Sequence, residues 1–214
     1  MLLRAMPLLL LSTGCLPVPH LWYPNHYQTG RILDSSQKQV ALHTFLHGPT
    51  YASFAMSTGR DWEGMIGLGQ VGQIGREAPI LGMNVGMTRR HLRFWWIRSS
   101  VGLEVEGFAS RGPIFPMQDL TGAQVFAAYA AGVFPRDWLG VFFPVKVAYV
   151  WADWEDEVSS GLGLVPGCGL TLEKRHVFLR AGFSQGVAVD WPPTPDVGDL
   201  RLWYYLGLQL GYRW

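Results

Sequence analysis

Residues able to do chemistry are sparse in this chain and stand apart from one another. His43 and His47 lie four apart, which puts both on one face of a helix or a strand. A metal site needs further ligands and a supporting shell, and the neighbouring sequence supplies neither, so a pair of rim histidines is expected. Asp153, Glu155, Asp156 and Glu157 form an acidic run of a kind that can hold divalent cations, but it reads as a solvated loop. Gly67-Leu68-Gly69-Gln70-Val71-Gly72 spells the dinucleotide fingerprint, yet Pro79 and a new strand follow where a helix and a later acidic residue are required. Gly182-Phe183-Ser184-Gln185-Gly186 spells a nucleophile elbow, but no histidine follows His176 to complete it. His176 and Ser184 share one predicted strand at a separation of about 26 Å, too far to pair. No catalytic residue, metal ligand, cofactor or nucleotide is therefore expected.

Composition narrows the classes further. The 17 Lys and Arg nearly cancel the 16 Asp and Glu, and neither sign gathers in one stretch, so nucleic acid is not an expected partner. Charged residues make up 15%, against about 25% in soluble domains. Aromatics reach 14%, with ten Trp, and glycines number 26. This mixture fits a chain whose apolar side chains face lipid, with aromatic belts at two interfaces and glycine where strands bend.

The elements that must carry these residues are strands. From Leu200 to Trp214, Leu and Tyr alternate with polar residues and glycine, a period of two. Strands in globular domains run about 5 to 6 residues, whereas about 9 to 11 tilted residues cross a bilayer. Further strands are predicted near 38 to 46, 50 to 58, 62 to 70, 78 to 88, 93 to 108, 121 to 134, 138 to 151, 158 to 172 and 175 to 188. The Ala-rich stretch 125 to 134 also admits a short helix, although at that length it crosses a bilayer only as a strand. Tight polar turns at Gly59-Arg60-Asp61, Arg89-Arg90-His91, Pro135-Arg136-Asp137 and Glu173-Lys174 alternate with longer loops. His47-Gly48-Pro49 is short where a long loop is due. The expected fold is all-β, an antiparallel up-and-down transmembrane barrel of about ten strands, within a range of 8 to 12. A soluble barrel or sandwich is the competing architecture.

Counting by parity turns Glu63, Arg98, Glu104, Glu106, Lys146, Arg180, Arg201 and Arg213 inward, with Asn84, Gln124 and Gln209. Glu104 and Glu106 stand two apart on one face, a spacing that paired catalytic carboxylates can use. In a narrow barrel they are expected to pair with the cations instead, because unpaired charge in a dry interior is costly. A ring of ten strands suits a packed or partly hydrated interior rather than a broad pore.

At the other end, Arg4 precedes an apolar run from Ala5 to Leu11, too short to span a bilayer as a helix, which reads as an export signal over 1–14. Residues 15–37 show no sustained period and read as an extended lead that tethers or plugs, ahead of a barrel over 38–214. Leu11-Ser12-Thr13-Gly14-Cys15 resembles a bacterial lipobox, which implies a lipid on Cys15. Ser12 and Gly14 equally suit an ordinary signal peptidase, and both enzymes cut after Gly14. With Cys15 acylated, Cys168 has no partner for an intramolecular disulfide.

The last strand, with its alternating apolar residues, Tyr212 and terminal Trp214, resembles the assembly signal of Gram-negative outer-membrane β-barrel proteins. Thr29-Gly30-Arg31-Ile32-Leu33 is similar to the lead-in of some small members. The resemblance implies outer-membrane lipid and the barrel-assembly machinery as partners, with both termini periplasmic. The function expected is non-enzymatic: a structural or small-ligand barrel with an ion-paired lumen. A lipid-modifying or hydrolytic barrel enzyme and a narrow channel for small solutes are the alternatives.

Overall fold

In the computed structural model, which describes residues 28–45, 50–74, 78–110, 120–154, 157–189 and 200–214, the period-two pattern becomes ten strands. They are β1 (Lys38–Phe45), β2 (Thr50–Gly59), β3 (Trp62–Ile74), β4 (Ala78–Phe94), β5 (Ile97–Ser110), β6 (Leu120–Arg136), β7 (Leu139–Trp154), β8 (Glu157–Lys174), β9 (Val177–Val189) and β10 (Leu200–Arg213). Each pairs antiparallel with its sequence neighbour, and β1 pairs with β10 from Gln39↔Arg213 to Phe45↔Gly207, closing the barrel. Closure removes the free sheet edge, so backbone N–H and C=O groups along the wall find partners without water.

β3 to β10 run 13 to 18 residues, longer than a globular sheet needs and enough to cross a bilayer at a tilt. The two faces of the wall differ in character. Outward positions carry Met83, Val85, Met87, Leu103, Val105, Leu170, Leu206, Leu208 and Leu210, all about half exposed. Inward positions carry buried aromatics, alanines and polar groups, among them Phe126, Phe142, Ala148, Glu104 and Lys146. The core is the lumen itself. Large rings inside are accommodated because facing positions are small: Phe178 lies over Gly211 and Phe142 over Gly169. The stretch 125 to 134 is strand within β6, so the helical alternative falls away.

One end of the barrel gathers the start of β1, the end of β10 and the short turns after β2, β4, β6 and β8; it is called the terminal end below. The turn between β4 and β5 falls at Trp95 and Trp96, with Trp95 in the left-handed region at φ 48°, rather than at Arg89-Arg90-His91. The polar triplet is not a turn because its members bond elsewhere: Arg90 reaches Asp61 at 3.2 Å and Asp34 at 3.5 Å, and a bulge between Arg90 and Leu92 keeps the ladder running. The turn between β8 and β9, at the same end, likewise lies at Arg175 and His176, so that Glu173 remains inside the wall.

Candidate functional site in the lumen

The segment ahead of β1 does not run along the outside of the barrel. Gln28, Thr29, Ile32 and Leu33 are each no more than 5% exposed, and Leu33 packs against Ala55 and Met65 of the inner wall. Entry depends on glycine. Gly30 sits at φ 78°, and a Cβ there would stand 2.6 Å from the carbonyl oxygen of Arg98. On the neighbouring strand, where Gly132 pairs with Arg98, a Cβ on Gly132 would stand 2.3 Å from the carbonyl oxygen of Thr29. The lead therefore lies directly against the backbone of the wall, a fit that side chains at these two positions would prevent.

At the first described residue of the lead, Gln28 Nε2 donates to Glu104 Oε1 at 3.0 Å. The same carboxylate faces Lys146 Nζ at 3.3 Å, and both side chains are 1% exposed. Lys146 also lies over the Phe126 ring, 5.3 Å from its centroid. Two residues along β5, Glu106 accepts from Gln124 Nε2. Glu104 and Glu106 thus each accept from a different amide, Gln28 and Gln124.

Nearer the terminal end, Glu173 is surrounded by arginines: Arg31 Nη1 at 3.0 Å, Arg213 Nη1 at 3.2 Å and Arg180 Nη2 at 3.7 Å. Arg31 comes from the lead, Arg180 from β9 and Arg213 from the end of β10, so one carboxylate ties the lead to the wall beside the closing seam. Arg180 and Arg213 both lie over the Phe178 ring, and Arg213 Nη2 donates to Gln39 Oε1 at 3.1 Å. From Arg180 a polar chain continues through Gln209 Oε1 at 3.2 Å to His43 and on to Ser53. Glu63 accepts the backbone N–H of Leu33 at 2.8 Å, a second tie to the lead.

The inward set from the sequence is thus divided. Glu104 and Lys146 meet, and Arg180 and Arg213 meet on a carboxylate absent from that set. Glu63 holds the lead, whereas Arg98 sits near the terminal end and donates to the carbonyl oxygens of Trp95 and Ile97. The side chain of Arg201 and all of Cys15 and His47 lie outside the described residues. The sequence places Glu173 in a tight polar turn, although the inward parity of β8, continued through Thr171, reaches it. Gln28 and Arg31 left no periodic signal, because an extended lead inside a lumen has none.

His43 Nε2 and Ser53 Oγ are 2.8 Å apart across β1 and β2, the contact that a serine nucleophile and its base would make. Both are buried, and the amide of Gln209 approaches the same nitrogen at 3.3 Å. The cavity beside them, lined by Ser53, Gln39, Glu63 and Arg180 among others, measures about 20 Å³. That is room for a water and not for a substrate. Among the described residues no group of three or more His, Cys, Asp or Glu is placed to hold a metal ion.

No family model matches the chain, and no curated protein does. Solved structures do resemble it. Neisserial surface protein A is 13% identical with a TM-score of 0.38, over 82% of this chain and 92% of that one. Ail, the attachment invasion locus protein of Yersinia pestis, is 10% identical with a TM-score of 0.30, over 84% of this chain and 99% of that one. The outer-membrane protease OmpT of Escherichia coli is 8% identical with a TM-score of 0.38, over 84% and 93%. Similarity at this level speaks to nothing beyond strand architecture. The structures that this chain resembles are bacterial outer-membrane β-barrels, and the chain itself is a closed, antiparallel, up-and-down barrel of ten strands.

Proposed function

We propose that this chain is a non-enzymatic outer-membrane β-barrel with both termini in the periplasm, its lumen held by ion pairs and closed at the terminal end by its own lead. The observation that carries this reading is the insertion of Gln28 to Leu33 into the lumen, fixed by Glu104, Glu173 and Glu63, inside a wall whose outer face is apolar. In water such an outer face would expose far more contiguous apolar surface than soluble monomers carry; in lipid it is the stable arrangement. A lumen whose carboxylates are each hydrogen-bonded or ion-paired, and whose terminal end is filled by chain, suits a structural part of the envelope better than a conduit.

Residues 1–14 serve as the export signal, 15–37 as the lead and 38–214 as the barrel. Acylation of Cys15 would complete the design, because the stretch from Cys15 to Gln28 spans up to roughly 45 Å when extended. An anchor in the membrane leaflet at the terminal end is within that reach. The barrel-assembly machinery would read Tyr212 and Trp214, which lie outward on the strand that closes the seam.

The test is to fold the full chain into vesicles and measure conductance in planar bilayers together with labelling by a fluorophosphonate. No steady conductance and no label on Ser53 are expected. A steady open level would refute the closed lumen. Label that disappears in Ser53→Ala would make the His43 and Ser53 pair a working hydrolase.

A further inference from the structure

The terminal end carries an outward-facing cation that the lumen does not use. Trp62, Arg89, Val101 and Tyr129 form one register row across β3, β4, β5 and β6, all pointing away from the lumen. The Arg89 guanidinium lies over the Trp62 ring, 5.4 Å from its centroid, and the exposed His91 ring lies 6.0 Å from that of Tyr129. Among the described residues, the ion pairs of this end engage Arg31, Arg90, Arg93, Arg180 and Arg213, and Arg89 is in none of them. A charge held at the lipid-facing wall by a ring below it keeps its N–H edge open to an acceptor. On the side away from the turns, Met87, Val85 and Met83 of β4 and Leu103 of β5 form a continuous apolar strip, each about half exposed.

We propose that Arg89, held by the Trp62 ring in a row that ends at Tyr129, binds the phosphate of an anionic glycerophospholipid whose acyl chains lie along the outer face of β4 and β5. The planar guanidinium supplies two parallel donors to the phosphate oxygens. The aromatic rings sit at headgroup depth, where such side chains collect. This rests on the membrane placement above and adds to it a defined lipid site on the leaflet at the terminal end.

The test uses the full chain in vesicles of phosphatidylcholine and phosphatidylglycerol with matched acyl chains, followed by native mass spectrometry of the lipids it retains. The wild-type chain is expected to retain phosphatidylglycerol over phosphatidylcholine by about five-fold relative to the bulk mixture, the factor one cation near an anionic surface supplies. Arg89→Gln should bring the ratio close to parity, while Lys174→Gln, which removes a charge from the last residue of β8, should leave it unchanged. Parity in the wild-type chain would overturn the site, and equal losses in both variants would replace it with diffuse attraction. If Arg89→Gln does not fold, Trp62→Ala keeps the charge but removes the ring that orients it; it should lower the ratio, and an unaltered ratio would count against the site. A chain that does not float with the vesicles at all would instead sink the membrane placement, an outcome separate from parity.

Discussion

At the level of single residues, the lumen is organised by two carboxylates, Glu104 and Glu173, that each hold more than one partner. Glu104 is bonded by Lys146 and by Gln28 of the lead, in surroundings where a charge left alone is costly. Lys146→Met is therefore expected to destabilise the barrel by about 3–5 kcal/mol, and adding Glu104→Gln should recover most of that loss, measured by urea unfolding in vesicles. A double variant no better than the single one would contradict the pairing. Gly30→Ala is expected to cost about 1–3 kcal/mol, through an unfavourable φ and a clash with the Arg98 carbonyl. Its consequence should be local: the lead leaves the lumen and becomes cleavable at Arg31 in limited proteolysis, while the barrel keeps its compact mobility on an unheated gel. Inward parity was readable from the sequence for Glu104, Lys146, Arg180 and Arg213, because a strand turns alternate side chains to one face. It gave no access to partners: which cation meets which carboxylate depends on strand stagger and on the lead, and neither leaves a periodic trace.

At the level of strands, each outward position has a depth, and depth sets the cost of a charge. Leu208 lies near the middle of β10 and faces outward, so Leu208→Arg should destabilise the folded barrel by about 2–4 kcal/mol. Tyr212→Arg, close to the terminal end, should cost only about 0–1 kcal/mol. Equal and small effects at both positions would indicate water rather than lipid around β10. The strands themselves were legible because long period-two runs are a strong local signal. The turn between β4 and β5 was not, since Arg89, Arg90 and His91 have the composition of a turn but serve as an ion-pair donor and as outward polar groups within the strand. Trp95 and Trp96, apolar and bulky, occupy the turn instead, where an aromatic pair at the barrel rim has an interface to meet.

At the level of the whole molecule, closure, apolar exterior and filled lumen depend on one another. A barrel with no free edge can stand in lipid, the lipid tolerates the apolar wall, and a lumen closed by the lead, as proposed, would keep the two sides of the membrane apart. The claim common to all of this is that the outward face of the wall meets hydrocarbon. The direct measurement is site-directed spin labelling along β10 in lipid vesicles, comparing collision with oxygen and with a water-soluble nickel chelate. Labels at Leu206, Leu208 and Leu210 are expected to collide freely with oxygen and hardly at all with nickel, whereas labels at Tyr205 and Gln209 should meet little of either. Nickel access at the three leucine positions would place that face in water and contradict the membrane barrel.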